Sequence, residues 1–370
     1  MSKHFEVIGV SSPGLNLDLV KNREGCRVIA VEMQRNISPL NDVIALYKLF
    51  CILKVEKPVL VHSITPKAGL LTMLAARLSG VPIRVHTFTG LIFPTRQGFV
   101  RRLLILTDRI LCWAATNIYP EGQGVKDDLQ KFEITEKPLN VLANGNVNGI
   151  DTTYFSTTTI EEQSAAQLKA ELGISSEDFI FIFVGRLVGD KGINELITAF
   201  SKISKSADQQ ISNSCKLLLV GPVEAKLDPL LPETLNHIEI NPNIISVGFQ
   251  QDVRPYFAIA DALVFPSYRE GFPNVVMQAG AMELPAIVTD INGCNEIIIH
   301  GKNGLIIPPK DSNALFNAML QLWEDKTLYA QLKRNARPMI TSRYEQQVVW
   351  DALLAEYNRL ILEYKNKKGV

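Results

Sequence analysis

Short apolar runs that alternate with segments of helical spacing constrain the fold of this chain most strongly. Strands that alternate with helices form βαβ units and a parallel sheet. The carboxyl ends of such strands meet at one edge, where open α/β sheets bind ligands. In the first half, the strand-like runs are residues 5–10, 27–33, 59–62 and 83–87, and the helical segments are residues 40–53 and 66–78.

A second α/β series begins at Phe179. Helices are predicted to begin near residues 193, 252, 274 and 295, Asp311 caps another, and a long helix covers residues 346–365. The pattern therefore predicts an α/β protein with two Rossmann-like domains and a site between them. The strand-like runs of this half are residues 179–184, 216–220, 244–247, 262–265, 286–289 and 305–307.

A change in composition separates the two halves. Residues 140–151 are predicted to form a strand followed by turns, and residues 156–167 are polar and rich in threonine. Such a shift is typical of a domain boundary. We predict a first domain over residues 1–155, a second over residues 156–345, and a C-terminal helix over residues 346–370 that packs back toward the first.

Charge and cysteine usage exclude several classes of protein. The 38 basic and 38 acidic residues balance, so the chain lacks the positive field expected of a nucleic-acid-binding protein. No window approaches the roughly 18 uninterrupted apolar residues of a membrane-crossing helix, and the first apolar run is too short for a signal peptide. The cysteines show no zinc or disulfide spacing, which favours a cytoplasmic location. They are Cys26, Cys51, Cys112, Cys215 and Cys294.

Residues 266–290 contain the strongest candidate site. The segment leaves a buried strand, passes Arg269, Glu270 and Gly271, and enters a helix predicted to begin at Pro273. A charged pair at the carboxyl end of a strand, beside a helix N-terminus, suits an anionic ligand. Taken alone, however, Glu270 is explained equally well by a solvated ion pair on the surface.

Two cations follow the first strand of the second half. Arg186 and Lys191 lie between Gly185 and the start of a predicted helix. Arginine offers a bidentate fork, lysine a point charge, and a helix N-terminus adds N–H groups, so the segment has the outline of a diphosphate site. It is neither a phosphate loop, since Lys191 is followed by Gly192 and Ile193, nor a dinucleotide fingerprint.

The segment from Arg96 to Trp113 combines large apolar side chains with Arg101, Arg102 and Arg109. A basic amphipathic helix of this kind can lie on an anionic membrane surface. The alternative is a half-buried helix whose arginines are solvated.

Several motifs together resemble a known enzyme family. The segments GRLVGDKG, GFQQDVRPYFAIADALVFPSYREGFPNVVMQAGAMELPAIVTD and NGLIIPPKD resemble the nucleotide-sugar half of retaining glycosyltransferases of family 4, which have the GT-B fold. Upstream, VHSITPKAGLLTMLAARLSGVP, VHTFTGLIFP and NGNVNGID resemble a bacterial subgroup that builds glycans on undecaprenyl diphosphate. That subgroup includes the N-acetylgalactosaminyltransferase acting on lipid-linked bacillosamine. The implied fold is GT-B, with two Rossmann-like domains facing across a cleft.

The resemblance implies roles for individual residues. Arg186 and Lys191 would hold the diphosphate of a UDP-sugar and stabilise the departing UDP, with no metal and no cofactor. Glu270 would lie against the donor sugar, and His86 near its hydroxyl groups, although a hydrogen-bonded loop residue is the alternative for His86. Gly14 would leave room for the diphosphate or the acceptor. The other donor-site positions are Gly185, Phe249, Gly271, Phe272, Pro273, Asn274 and Gln278.

Three positions depart from the family pattern. The second acid of the Glu-x7-Glu motif is Gln278, which can still bind ribose hydroxyls but without charge. Since hydrogen bonds to charged groups contribute about 1.5–3 kcal/mol and neutral ones about 0.5–1.5 kcal/mol, a weakened donor site is expected. Ile64 and Thr89 stand where many relatives have histidine. These two differences concern the acceptor and sugar contacts.

The resemblance therefore implies a retaining, metal-independent glycosyltransferase. It would move a hexose or N-acetylhexosamine from a UDP-sugar to a saccharide linked to undecaprenyl diphosphate, in capsule, O-antigen or related glycan synthesis. It would work at the inner face of the bacterial plasma membrane, held there by residues 96–113. Two alternatives stay open: a UDP-sugar epimerase or hydrolase of the same fold, and a non-catalytic partner subunit with a weakened donor site.

Overall fold

The computed structural model describes residues 1–34, 38–204, 211, 214–224 and 228–369. The chain forms two compact units, one of residues 1–147 with 347–370 and the other of residues 148–346. The first domain was predicted to end at residue 155. In the structure, residues 148–155 belong to the second unit. From residue 347 onward, the predicted C-terminal segment belongs to the first unit.

The first unit contains two groups of parallel strands. β1 pairs with β2, and β3, β4 and β5 pair in that order. The elements are β1 (Ile8–Ser11), α1 (Leu15–Glu24), β2 (Arg27–Ala30), α2 (Pro39–Glu56), β3 (Leu60–Ser63), α3 (Pro66–Ser79), β4 (Ile83–Phe88), α4 (Gly98–Ala114), β5 (Asn117–Pro120) and α5 (Gln123–Lys131).

The second unit is built on one parallel sheet of six strands. Its elements are α6 (Glu162–Glu171), β6 (Phe179–Val184), α7 (Ile193–Ser204), β7 (Cys215–Val220), α8 (Pro232–Ile240), β8 (Ile244–Gly248), α9 (Arg254–Ile259), β9 (Ala262–Phe265), α10 (Asn274–Ala281), β10 (Ala286–Thr289), α11 (Cys294–Ile297), β11 (Gly304–Ile307), α12 (Ser312–Glu324) and α13 (Lys326–Tyr344); the chain then continues into α14 (Gln346–Lys368).

The strand order of this sheet locates the candidate site. The order is β11-β10-β9-β6-β7-β8, so the chain moves outward from β6 in one direction and then returns to β9 on the other side of it. This is the Rossmann order, and the point between β6 and β9 is its topological switch point. The loops that leave these two strands diverge there, and both carry the predicted site residues.

The core of the second unit explains the run of large apolar residues in β6. Its sequence is FIFIFV, and its first five residues are buried. A strand in the middle of a parallel sheet is covered by helices on both faces, so its side chains need not alternate between apolar and polar. Phe183 of β6 stacks on Phe265 of β9, with 5.9 Å between the ring centroids.

Helix α14 packs within the first unit through polar contacts as well as apolar ones. The Tyr119 hydroxyl on β5 donates to the Glu356 carboxylate. His62 on β3 shares a hydrogen bond with the Tyr357 hydroxyl, and its other ring nitrogen lies 2.8 Å from the Thr87 hydroxyl. The C-terminal helix is therefore tied to β3 and β5 by side chains that come from distant parts of the chain.

Local sequence signals define several helix ends. Pro66 occupies the first turn of α3, and Gly80 ends that helix in the left-handed conformation at φ 82°. The Asp311 side chain caps α12 by accepting from the N–H groups of Asn313 and Ala314. Both helices agree with the sequence-based predictions.

One strand prediction was wrong, and several helices were not predicted. Residues 140–151 do not begin with a strand, and only an isolated bridge between Leu139 and Ile118 adds to β5 there. The helix predicted to begin near residue 295 is present as α11, a single turn, because the chain soon turns into β11. Helices α1, α5, α6, α8 and α13 were not predicted. In the part of the chain described above, no helix combines the length and apolar character needed to cross a membrane.

Candidate active site

The loop after β6 is held by the loop after β7. The Gly185 N–H donates to the Val220 carbonyl at 2.9 Å, and the Leu187 N–H donates to the Pro222 carbonyl at 2.9 Å. A Cβ atom on Gly221 would lie 1.8 Å from the Gly185 carbonyl oxygen, so only glycine fits at residue 221. The backbone on both sides of Arg186 is therefore fixed.

Arg186 forms an ion pair with Glu224 of the neighbouring loop. Its guanidinium donates to the Glu224 carboxylate at 2.5 Å, and the two side chains are 53% and 29% exposed. The guanidinium consequently lies at the surface of the second unit, within reach of a ligand. Sequence reasoning identified Arg186 but not its partner, because the contact depends on β7 lying beside β6.

Lys191 and Glu270 form an ion pair across the switch point. Lys191 ends a short 3-10 helix, and its ammonium group contacts the Glu270 carboxylate; the side chains are only 17% and 16% exposed. The next residue, Gly192, adopts φ 72°, and a Cβ atom there would lie 2.1 Å from the Pro266 carbonyl oxygen. The loops after β6 and β9 therefore touch through their backbones, and this contact brings Lys191 to Glu270.

Two hydroxyl groups position the Glu270 carboxylate. Ser267, which is fully buried, donates to the Glu270 Oε1 atom at 2.7 Å. Thr289, at the end of β10, is also fully buried and donates to the Ser267 carbonyl oxygen. Sequence reasoning missed both residues. The only signal for Ser267 was a hydroxyl residue three positions before Glu270 in the same loop.

The loop after Glu270 is held by contacts with Gly293 and Tyr344 and leads into α10. Gly293 has φ 75°, and a Cβ atom there would lie 2.2 Å from the Gly271 carbonyl oxygen. Phe272 is buried edge-on against Tyr344, with 5.4 Å between ring centroids. Pro273 caps α10, which begins at the exposed Asn274, and Gln278 is half-buried one turn later. The structure thus places Glu270 directly before a helix N-terminus.

Phe249 lies further along the same sheet edge. It follows β8 and is 73% exposed. The Gly248 carbonyl accepts a hydrogen bond from the Gly221 N–H at 2.8 Å, so the loops after β7 and β8 are joined. Phe249 is therefore an exposed aromatic ring two strands away from Arg186, available to a flat ligand group.

His86 belongs to the first unit. It lies within β4, inside the strand predicted over residues 83–87, and it is fully buried. Its Nδ1 atom lies 2.8 Å from the Ser63 hydroxyl, and its ring packs edge-on against Phe88. Burial lowers the pKa of His86 to about 3, so the ring is neutral at physiological pH. The predicted contact of His86 with sugar hydroxyls stays a prediction.

Gly14 also belongs to the first unit. It precedes α1 and adopts φ 149°, and apart from its chain neighbours no atom of the described side chains or backbone lies within 4 Å of the position where its Cβ atom would be. The predicted role of Gly14, to leave room for the diphosphate or the acceptor, stays a prediction. Of the predicted residues, those after β6 and β9 are brought together, whereas Gly14 and His86 lie in the other unit.

The charges around the site are nearly all paired. Arg269 lies 3.7 Å from the Asp190 carboxylate, and the Asp190 N–H donates to the Asp228 carboxylate at 2.5 Å. Among the described residues, no group of three or more His, Cys, Asp or Glu side chains is arranged to hold a metal ion. The groups that can bind an anionic ligand here are the side chains of Arg186, Lys191 and Arg269 and the N-terminus of α10.

Helix α4 is amphipathic, as the sequence predicts. It buries Leu111, Cys112 and Ala114 against the first unit. Its opposite face is apolar yet exposed, with Phe99 79% exposed. The Arg77 guanidinium stacks on Trp113 at 3.8 Å from the ring centroid. The other large apolar residues exposed on this helix are Val100, Leu103, Leu106, Ile110 and Trp113.

Two family descriptions together cover most of the chain. "Glycosyl transferase 4-like domain" matches residues 7–145, and "Glycosyl transferases group 1" matches residues 164–339. The capsular polysaccharide biosynthesis glycosyltransferase CapM of Staphylococcus aureus is 31% identical over 99% of this chain and 93% of its own length.

Two further proteins match at lower identity. The N,N'-diacetylbacillosaminyl-diphospho-undecaprenol alpha-1,3-N-acetylgalactosaminyltransferase of Campylobacter jejuni is 24% identical over 91% of this chain and 87% of its own. The crystal structure of Anabaena HepE in complex with UDP superposes with a TM-score of 0.77 at 16% identity, covering 97% of this chain and 94% of HepE.

The chain therefore belongs to the family 4, or group 1, glycosyltransferases, and it is a transferase of glycosyl groups. The predicted fold class, an α/β protein with the GT-B fold and two Rossmann-like domains, is confirmed.

Proposed function

We propose that the second unit binds a UDP-sugar at the switch point between β6 and β9. The observation that carries this proposal is the meeting of Lys191, Glu270 and the N-terminus of α10, with Arg186 on the same loop as Lys191. Cations and a helix N-terminus at the carboxyl edge of a parallel sheet favour a diphosphate. The complex of HepE with UDP lends support from a protein of the same fold.

In this proposal Arg186 and Lys191 bind the diphosphate and stabilise the charge of the departing UDP. They supply electrostatic stabilisation that a metal ion would otherwise provide, so the reaction is metal-independent. When Lys191 turns to a phosphate oxygen, the Glu270 carboxylate becomes available to accept hydrogen bonds from the donor sugar, while Ser267 keeps it in place. Gln278 binds ribose hydroxyls as a neutral group.

The proposed transfer retains the anomeric configuration. The acceptor hydroxyl attacks the anomeric carbon from the side on which the diphosphate leaves, and the bond from that carbon to the phosphate oxygen breaks. The bonding electrons stay on UDP, and the acceptor proton passes to a phosphate oxygen. Retaining glycosidases instead use two carboxylates about 5–5.5 Å apart. In this chain, Gln278 replaces the second acid of the motif that contains Glu270.

The acceptor in this proposal is a saccharide linked to undecaprenyl diphosphate, used for capsule, O-antigen or a related glycan. Support comes from the printed activity of the C. jejuni relative and from the capsular role of CapM. The exposed apolar face of α4, with Arg102 beside it, would bind the inner face of the plasma membrane from the cytoplasm and bring the enzyme to a lipid-linked acceptor.

The first prediction concerns donor binding. Thermal shifts should be recorded with UDP, GDP and a panel of UDP-sugars, each with and without EDTA. We expect UDP and one UDP-sugar to raise the melting temperature, because a ligand at about 100 times its Kd stabilises by about 2.7 kcal/mol. EDTA should leave the shift intact, and Arg186→Ala should reduce it.

A second arm separates the proposed transferase from the alternatives. The selected UDP-sugar is incubated with and without an undecaprenyl-diphosphate-linked sugar, and NMR follows the anomeric signals. UDP release that requires the acceptor, with the α configuration kept from an α-linked donor, supports the proposal. Donor consumption without acceptor would favour an epimerase or hydrolase, and no nucleotide binding at all would favour a non-catalytic subunit.

A further inference from the structure

Each cation of the candidate donor site faces a carboxylate. Lys191 pairs with Glu270, Arg269 lies near Asp190, and Arg186 pairs with Glu224. A diphosphate that binds here must therefore compete with carboxylates already in place. Glu270 and Asp190 lie on the same two loops as the cations, whereas Glu224 comes from the loop after β7 and has no part in the proposed reaction.

The backbone holds Glu224 opposite Arg186. Leu187 and Val223 form an isolated parallel bridge beyond the ends of β6 and β7, and the Glu224 N–H lies 3.5 Å from the Leu187 carbonyl oxygen. The residues beside Arg186 and Glu224 are thus joined across the two loops. The side chains, by contrast, are 53% and 29% exposed, so they can separate without opening the core.

We propose that Glu224 is a nucleotide-competing residue, meaning that it holds the Arg186 guanidinium in the unliganded enzyme and is displaced from it by the diphosphate. This inference rests on the proposed function, because it requires the diphosphate to bind Arg186. Its consequence is that the Arg186–Glu224 pair weakens the binding of UDP. The same competition speeds the departure of the UDP product, since the carboxylate can replace the diphosphate on Arg186 as UDP leaves.

The size of the effect follows from the exposure of the pair. Exposed ion pairs contribute about 0.2–1 kcal/mol, so removing the competing charge should lower the Kd for UDP by up to about fivefold. The effect should shrink as salt is added, because salt screens exposed charges.

The test is calorimetric titration of UDP into wild type, Glu224→Gln and Glu233→Gln. Glu233 is an exposed glutamate on α8 of the same unit that lies 3.9 Å from His237, and its replacement removes the same charge without altering the Arg186–Glu224 pair. We expect a Kd about two- to fivefold lower in Glu224→Gln than in wild type, and no comparable change in Glu233→Gln. An equal or weaker affinity in Glu224→Gln would overturn the inference and would instead indicate that Glu224 aligns Arg186 or contacts the nucleotide.

A double-mutant cycle with Arg186→Gln separates this inference from the proposed function. In the Arg186→Gln background, Glu224→Gln should no longer improve UDP binding, because the two residues act as one pair. A gain that persists in that background would overturn the inference while leaving UDP binding by the enzyme intact. Failure of the wild type to bind UDP would instead overturn the proposed function.

Discussion

At the scale of single residues, the Glu270 carboxylate is held from two sides. Lys191 contacts it electrostatically, and the buried Ser267 hydroxyl donates to it at 2.7 Å. The ion pair must loosen when Lys191 turns to a phosphate, whereas the hydrogen bond from Ser267 can remain. Ser267 is therefore the residue that keeps the carboxylate aligned with the sugar while the donor is bound.

We expect Ser267→Ala to lower kcat/KM for the UDP-sugar by about tenfold or more, because hydrogen bonds to charged groups contribute about 1.5–3 kcal/mol. The Kd for UDP, which lacks the sugar, should change little. Steady-state kinetics and UDP titration measure the two quantities. Ser201→Ala is the matched control, since Ser201 is a buried serine of α7 whose hydroxyl has no hydrogen-bond partner among the described residues. Equal losses in both variants would point to a general effect of a buried serine.

Sequence reasoning found the charged residues of the site but not the groups that hold them. Arg186, Lys191 and Glu270 stand in loops directly after buried strands, and the position of such loops follows from the strand pattern. Glu224 reaches Arg186, and Thr289 reaches Ser267, only because of the order of strands in the sheet. A single sequence does not give that order.

At the scale of elements, α4 leaves large apolar side chains exposed along one of its faces. Phe99 and Leu106 are among its exposed apolar residues, and Arg102 lies between them in the sequence. Buried residues toward its C-terminal end fix it to the first unit. A fixed helix with an uncovered apolar face and nearby arginines suits the surface of an anionic bilayer.

We expect wild-type protein to sediment with vesicles that contain anionic lipid, and less with purely zwitterionic ones. Phe99→Ser with Leu106→Ser should reduce the bound fraction several-fold without lowering the melting temperature, because both side chains are already exposed to water. Leu235→Ser, which alters an exposed leucine on α8 of the second unit, is the control. If the Phe99→Ser, Leu106→Ser variant bound vesicles as well as the wild type, α4 would not be the membrane contact.

Elements with strong end signals were predicted well, and those without them were not. Proline at the start and glycine at the end made α3 readable from the sequence. By contrast, β5 and α5 were missed because the apolar residues of β5 directly follow those of α4. The apolar residues near 140 suggested a strand, but only Leu139 reaches a neighbouring strand. Periodicity thus locates an element only where its neighbours have a different pattern.

At the scale of the whole molecule, the buried His86 and the half-buried His62 make stability depend on pH. Burial lowers the pKa of His86 to about 3 and that of His62 to about 4, whereas an unfolded histidine titrates near 6.5. Between these values the unfolded chain binds more protons than the folded one. Stability is therefore fully present above about pH 6.5 and is lost as the pH falls.

We expect the free energy of unfolding, measured by urea denaturation, to fall between about pH 7 and pH 5, with a slope of at most about 1.4 kcal/mol per pH unit for each histidine. His86→Gln should show a shallower dependence, because one of the two groups no longer titrates. His4→Gln, which removes an exposed histidine, serves as the control. Parallel pH profiles for wild type and His86→Gln would contradict the prediction.

The contact between Gly192 and the Pro266 carbonyl has a consequence for exchanging parts between related enzymes. The two backbones are too close here for a Cβ atom to fit between them. The conformation of each loop therefore depends on that of the other. In a chimera that takes only the loop after β6 from a related enzyme, the imported loop would have to pack against a loop after β9 with which it did not evolve. The two loops are thus a single module for recombination, even though more than seventy residues of sequence separate Lys191 from Glu270.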